Sequence, residues 1–470
     1  MRKLRKFFGG KLFPCVLLCI LFALLICAAA IRLPRALAPI AIAERLFALA
    51  AALFLAASRD TPECKISKFI LLVLLPWVGT LLCFLLRRKP CRRAAAGRRA
   101  QDGTIGYLAA LGDADAEVLY ATDAEYFPVG GEMKRKLLSD LSDARKCIFL
   151  EYYIVEQGGF FGDVFPILRD KAKAGLDVRL IYDGFGCSLT LPRRFPKEME
   201  RAGIRVAIAR PLRFPPSDLN RRNHRKIAVI DGEIGYVGGI NLADEYTGEK
   251  IRFGHWKDSA LRVIGTPAMR LARMIAEETG IPLPPLPEPQ SGEIPCAAIS
   301  DCAADTESRK GAAAIGAMIS RAERFAYCNT PYLAPDAVLL TELKRAAAAG
   351  TDVRIMIPHI PDKKTTFLLS RAFARELIRA GVQVREYTAG FLHAKSIVTD
   401  GRYSFVSSYN LDYRSLYLQA ECGLAVDDEP LARALTEDFL ACWEAGTPVG
   451  RAKLIEKILL VFVRPFAPLM

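Results

Sequence analysis

Two periodicities alternate along this chain, and the same order of elements occurs twice. Residues 147–155 are apolar at nearly every position, which predicts a strand buried on both faces. Residues 163–174 carry apolar side chains at helical spacing and stop at Gly175. A strand over 177–182, a helix over 193–202 closed by Gly203 and a strand over 204–208 follow, then a strand over 226–230 that turns at Asp231-Gly232. The order returns as strand 325–329, helix 336–349 ending at Gly350, strand 352–357, helix 365–380 ending at Gly381, and strand 382–387. Ala174-Gly175-Leu176-Asp177-Val178-Arg179 aligns with Ala349-Gly350-Thr351-Asp352-Val353-Arg354. Between the two rounds, 281–295 holds six prolines and Gly292, the composition of a linker. The period is far too long for a solenoid, so this is a duplicated β-α-β lobe.

The first hundred residues follow another pattern. Apolar runs cover 12–31, 36–58 and 69–86; the second is interrupted by Glu44-Arg45 and the third carries Pro76. At ~1.5 Å per residue the first run is long enough to cross a bilayer. Basic clusters stand before it (Arg2, Lys3, Arg5, Lys6, Lys11) and after the third run (Arg87, Arg88, Lys89, Arg92, Arg93). The positive-inside rule places both clusters, and with them the body of the chain, on the cytoplasmic side of a multi-pass membrane anchor. The middle run is the natural one to dip into the interface. Residues 451–470 form a basic, apolar tail that suits either a core-covering helix or a helix lying on a membrane surface.

Charge sharpens this division. The chain's net charge is +14, yet residues 1–100 hold 18 Lys+Arg against 3 Asp+Glu, which leaves 47 against 48 for everything after them. A nucleic-acid enzyme needs its basic excess on the body, so a nucleic-acid partner is not expected. The thirteen cysteines include no Cys-x-x-Cys, and several lie inside apolar runs; they read as free thiols, with Cys296 and Cys302 the one loop pair worth checking.

The chemistry lies in a pattern that also occurs twice. His224-x-Lys226-x4-Asp231 and His393-x-Lys395-x4-Asp400 stand 169 residues apart, in a chain of only four histidines. Each is followed at matching distance by a small pair and an Asn: Gly238, Gly239 and Asn241, then Ser407, Ser408 and Asn410. A His and a Lys two residues apart on a strand project to the same face. Imidazole is both nucleophile and acid near neutral pH, and a lysine ammonium suits a phosphate oxygen. Two such sets facing each other supply a nucleophile, a leaving-group acid and a cationic clamp, so the duplication builds one site. The catalytic candidates are His224, Lys226, Asp231, His393, Lys395 and Asp400; beside Gly232 and Gly401, the two aspartates also have the setting of turn formers. Asn241, Asn410, Gly239 and Ser408 are the substrate-binding candidates. Asp258, 34 residues after His224, and Glu421, 28 residues after His393, are the candidates for orienting the histidine of their own repeat. His255 and His359 fit structural or substrate-lining roles. No metal motif is present and no cofactor is expected.

These motifs, with Asn220-Arg221-Arg222-Asn223 ahead of the first, Asn241-Leu242-Ala243-Asp244-Glu245-Tyr246, Phe253-Gly254-His255-Trp256-Lys257-Asp258, Thr330-Pro331-Tyr332, Pro358-His359-Ile360-Pro361-Asp362-Lys363-Lys364 and Asn410-Leu411-Asp412-Tyr413-Arg414-Ser415, resemble the phospholipase D superfamily and within it the bacterial cardiolipin synthases. The resemblance covers almost the whole chain. It implies an α/β fold of two duplicated phospholipase D-like β-α-β sandwich lobes forming one active site, preceded by N-terminal transmembrane helices. The divisions are 1–100 for the anchor, 101–280 and 296–450 for the lobes, 281–295 for the linker and 451–470 for the tail. The implied reaction is phosphatidyl transfer between two phosphatidylglycerol molecules through a phosphohistidine, giving cardiolipin and glycerol in the cell membrane. His224 would be nucleophile and His393 acid, then base, although the two motifs are symmetric on this point. Lys226, Lys395, Asn241 and Asn410 would hold the phosphate oxygens. A phospholipase D-type hydrolase or phosphatidylserine synthase, a membrane-tethered nuclease and a non-catalytic lipid-binding protein are the alternatives, and phosphatidylethanolamine is an alternative second lipid. Two departures stand out: Ser407 occupies a position usually held by Gly, and the helix over 269–278 lacks expected aromatic residues.

Overall fold

The computed structural model describes residues 37–56, 58, 62–74, 79–80, 83, 118–212, 221–301 and 309–469. Its centre is a mixed sheet of fifteen strands. In the first lobe, Cys147–Tyr152, Asp177–Asp183 and Arg205–Ala209 run parallel. Lys226–Ile230 pairs antiparallel with the first of these, and Ile234–Gly238, Ala260–Gly265 and Val118–Phe127 continue the sheet. The second lobe repeats this order: Phe325–Asn329, Asp352–Pro358 and Gln383–Tyr387 are parallel, and Ser396–Thr399, Tyr403–Ser407, Glu421–Asp427 and Ile294–Asp301 follow antiparallel. The halves join where Val118–Phe127 pairs with Ile294–Asp301.

The core explains the uninterrupted apolar runs. Along Lys226–Ile230, Ile227 and Val229 enter the layer shared by both lobes, while Ala228 and Ile230 face an outer layer of the first lobe. Helices Thr266–Thr279 and Glu429–Glu444 fill the shared layer through Leu271, Ile275, Leu435 and Phe439. The helix stops behave as expected at Gly175 and Gly350, whose φ of +91° and +99° are in the left-handed region.

Three differences from the sequence reading have physical causes. The helix expected from 163 begins at Gly159, because the Asp244 carboxylate, 85 residues away, accepts from the amides of Gly159 and Phe160 at 3.0 and 2.9 Å. That cap is tertiary and leaves no mark in the local pattern. The strand Ile294–Asp301 starts inside the Pro-rich stretch, where Tyr120 stands opposite Pro295. Cys296 therefore lies in a buried strand rather than a loop, and burial pushes its thiol up to about 12; Cys302 lies outside the described residues.

The run over 12–31 also lies outside them. The run over 36–58 forms the helix Leu37–Ala56. The run over 69–86 meets a helix that starts earlier, Pro62–Leu74, whose 13 residues span only ~20 Å of a hydrocarbon core ~30 Å thick. Among the described residues, no helix is long and apolar enough to cross a membrane. The tail forms the helix Leu454–Val463 and a 3-10 turn, Arg464–Leu469. Ser67 Oγ donates to the Pro465 carbonyl at 2.6 Å, tying this turn to Pro62–Leu74.

Candidate active site

Each histidine lies just ahead of its strand, not within it: Lys226 is the first residue of Lys226–Ile230, and Lys395 immediately precedes Ser396–Thr399. Two short pairings between the lobes bring the tripeptides together. Gly390–Leu392 pairs in parallel with His255–Lys257, so that His393 emerges beside Asp258. Asn223 bridges to Ala420, so that His224 emerges beside Glu421. The main chain fixes both junctions: the amide of His224 donates to Ala420 at 2.9 Å and that of His393 to Lys257 at 2.6 Å.

The carboxylates are consequently exchanged between lobes. His224 Nδ1 lies 2.9 Å from Glu421 Oε1, and His393 Nδ1 lies 2.7 Å from Asp258 Oδ2. The expected pairing of each carboxylate with the histidine of its own repeat is not what is seen: each meets the histidine of the other repeat. Linear distance favours the partner within the same repeat; the inter-lobe pairings override it. Binding through Nδ1 leaves Nε2 of each imidazole for chemistry.

The other candidates divide. Lys226 and Lys395 are buried, and each ammonium donates to the carbonyl of the histidine in its own motif. Gly239 makes room for a carboxylate: a Cβ there would lie 2.0 Å from Asp258 Oδ1. Ser408 stands at the corresponding place in the other lobe, bonded to the main chain of Cys422 beside Glu421. Both thus shape the carboxylate pockets. Asn241 accepts from the Ile154 amide at 3.0 Å and donates to Tyr246 Oη at 2.7 Å, so its amide is engaged by the protein. Asn410 differs, because its buried Oδ1 has no hydrogen-bond partner among the described residues. Ser407, the departure from Gly, faces Gly423, whereas Gly238 faces Ala260. The side-chain volume has moved across the strand pair, so the serine is accommodated.

Asp231 and Asp400 stand apart from the pairs, at the other end of their strands. Asp231 (φ +57°) accepts from the amides of Arg145, Lys146 and Cys147 at 2.8, 2.6 and 2.9 Å. Asp400 (φ +56°) accepts from Glu323, Arg324 and Phe325 at 3.0, 2.8 and 2.9 Å. They clamp neighbouring strands through these amides, and none of these bonds involves a histidine or lysine of the motifs. Asp400→Ala is expected to cost about 2 kcal/mol of stability, through the lost acceptor for three amides and because alanine tolerates the left-handed φ less well than aspartate; a thermal melt should fall by several degrees, and an unchanged melt would refute the clamp.

A sequence profile described as "Cardiolipin synthase, PLD-like domain" matches residues 137–250 and 315–443. The chain belongs to the cardiolipin synthase family of phospholipase D-like proteins. Among its relatives, the cardiolipin synthase of Halalkalibacterium halodurans is 35% identical over 342 residues, 70% of this chain and 67% of that protein. The cardiolipin synthase of a Geobacillus species is 35% identical over 71% of this chain and 68% of its own length. An uncharacterized protein of Streptococcus mutans is 34% identical over 74% of this chain and 79% of its own. The crystal structure of the Haemophilus influenzae phosphatidylserine synthase shares the fold, with a TM-score of 0.60 at 14% identity over 75% of this chain and 96% of that one.

In this family member the two halves of the site differ in their electrostatics. Burial, reinforced by Lys226 and Lys395, holds His224 well below its ordinary value. Burial and Lys395 pull His393 down to about 3, against Asp258. Both imidazoles therefore rest neutral. Burial brings Lys226 down to about 7 and Lys395 to about 8. Burial alone would raise Asp258, but His393, Lys395 and the Ser259 amide outweigh it and keep the carboxylate ionised. Glu421 is pushed up to about 8 by burial, against Lys226 and the hydroxyls of Ser408 and Ser415. Ser415, which donates to Glu421 at 2.5 Å, was not singled out from the sequence, although it closes the string that begins at Asn410. The aromatic wall of His393 was also missed: the rings of Tyr246 and Trp256 each lie 5.4 Å from the imidazole. The two remaining histidines each have a side-chain partner of their own: His255 bonds Tyr387 Oη at 2.8 Å and His359 bonds Glu386 at 2.7 Å.

Proposed function

We propose that the protein is a cardiolipin synthase that transfers the phosphatidyl group of one phosphatidylglycerol to a second. The observation that carries this reading is the pair of buried histidines, neutral at rest, each backed by a carboxyl group from the opposite lobe and flanked by a buried lysine. In the first step His393 takes up a proton from solvent as the anionic phosphodiester binds, His224 Nε2 attacks phosphorus, the bond to the head-group oxygen breaks, and His393 gives that oxygen its proton as glycerol leaves. In the second, the 3′-hydroxyl of the acceptor attacks phosphorus, its proton passes to His393, and the phosphorus–nitrogen electron pair returns to His224. The ionised Asp258 suits His393 to hold the additional proton, and the uncharged resting state of His224 suits attack. Lys226 and Lys395 neutralise charge on the phosphate oxygens, and the side-chain N–H of Asn410 is a further, neutral donor to them.

The setting is a membrane. Ile42, Leu46, Leu49 and Leu53 form one exposed apolar stripe on Leu37–Ala56, and Leu454, Val461 and Phe462 are exposed on the tail helix beside Arg451, Lys453 and Lys457. Apolar faces edged by basic residues suit an anionic lipid surface. The basic-apolar N-terminal segment is read as a multi-pass anchor in the cell membrane with the lobes on the cytoplasmic side.

The test is a product assay with phosphatidylglycerol labelled in the head-group glycerol and the acyl chains. Cardiolipin with about one glycerol released per product is expected from this stoichiometry. Phosphatidic acid with glycerol would make the protein a hydrolase, and product only with added phosphatidylethanolamine would change the acceptor.

A further inference from the structure

The duplication makes the two halves of the site comparable position by position, and two departures from symmetry fall on the same side. Aligning Asn241 with Asn410 sets Glu245 of the first lobe against Arg414 of the second. Glu245 is paired, 3.2 Å from Arg252. No carboxylate pairs with Arg414 among the described residues, and its buried Nε has no hydrogen-bond partner. Its place is set by the next residue, since Ser415 donates to Glu421, the acceptor of His224. The repeat that aligns Asp177 with Asp352 sets Ser188 against Lys363, and residues 184–188 carry no cation. Lys363 is held loosely, 3.4 Å from Tyr332 Oη and 4.0 Å from Asp362, with 62% of its side chain exposed.

Arg414 makes no ion pair within 4 Å among the described residues, and the buried Asp412, which also feels Lys363, is the carboxylate that acts on it from a distance; a partly buried arginine so placed is costly unless an anion compensates it further. The phosphate undergoing transfer already has Lys226 and Lys395. After burial and those two lysines, Lys363 and Arg414 are the next influences that hold His224 neutral, so both lie within electrostatic reach of it. The side facing His393 is instead walled by Tyr246 and Trp256. The asymmetry therefore adds positive charge on one flank of an otherwise symmetric clamp. Transfer between two phosphatidylglycerols requires a second anion there, because the acceptor carries its own phosphodiester a few bonds from the attacking hydroxyl. Water and free glycerol carry none.

We propose that Arg414 and Lys363 form a second anion subsite on the His224 side of the centre, which takes the phosphodiester of the acceptor lipid. The inference rests on the transfer reading above and adds what separates an anionic acceptor from a neutral one. Arginine suits this task through its planar donor fork, and the loosely held lysine supplies a mobile charge.

The experiment compares two acceptors with phosphatidylglycerol vesicles as donor. Cardiolipin formation reads the anionic acceptor, and exchange of labelled free glycerol into phosphatidylglycerol reads the neutral one. Arg414→Ala is expected to lower the ratio of cardiolipin formation to glycerol exchange by about ten-fold or more, the size of one lost charge-assisted contact. Lys363→Ala, mostly exposed and so little coupled to folding, should lower the same ratio several-fold, and Arg414→Lys should recover part of it. Equal falls in both reactions, or an unchanged ratio in both alanine variants, would overturn the subsite. Wild-type protein that exchanges glycerol but makes no cardiolipin would instead overturn the cardiolipin reading, and the subsite with it.

Discussion

Replacing either His224 or His393 with alanine should lower phosphatidyl transfer by roughly four orders of magnitude or more, with the protein still folded. The two act as a unit. In the proposed mechanism one imidazole supplies the bond to phosphorus and the other the proton for the departing oxygen, so neither can substitute for its partner. The double variant should be little worse than either single one, since removing the second member of a broken pair takes away almost nothing. Folding is expected to survive because each imidazole contributes one hydrogen bond at the mouth of a lobe interface that Leu271, Ile275, Leu435 and Phe439 hold together from within. Transfer rates in mixed micelles, with thermal melts of the same preparations, test this. A single variant that kept a tenth of wild-type activity would exclude the two-histidine mechanism.

The legibility of this architecture differs from element to element. Lys226–Ile230 and Phe325–Asn329 could be bounded from their residues alone, since a strand buried on both faces is apolar throughout and these runs end in turn residues. Helix ends were legible where the stop is local, as at Gly175 and Gly350, and illegible where it is tertiary, as at Gly159, capped by Asp244. The same distinction governs the site. The histidines and lysines announce themselves by repetition. Asp258 and Glu421 could be found as strand-edge carboxylates, but their assignment to a histidine depends on Gly390–Leu392 pairing with His255–Lys257, a contact between segments more than 130 residues apart. Asp231 and Asp400 illustrate the reverse hazard: they belong to the motif by spacing, and their function is to gather main-chain amides at the far strand end.

The exchange of carboxylates gives the second large effect. Asp258→Asn should lower transfer by about 10³- to 10⁴-fold, and it should do so through His393, although Asp258 belongs to the first lobe. The amide keeps the shape of the side chain but removes the charge that supports a protonated His393 and fixes its tautomer. The loss then falls on proton transfer to the leaving group. A phosphatidyl ester with a nitrophenolate leaving group needs little such help, so Asp258→Asn should retain a burst of nitrophenolate and accumulate the phosphohistidine. Glu421→Ala acts on His224, the attacking residue, and should lose burst and intermediate together. Acid-quenched samples read by rapid mixing and by phosphorus label on the protein separate the two cases. The opposite pattern, with the burst surviving Glu421→Ala and vanishing in Asp258→Asn, would transfer nucleophilic attack to His393. An Asp258→Asn protein within ten-fold of wild type on phosphatidylglycerol would mean that the 2.7 Å contact between the lobes does no catalytic work. Because each half of the catalytic machinery is completed by the other lobe, neither lobe alone can hold a competent histidine, and this ties the activity of the duplicated fold to the integrity of the interface between its halves.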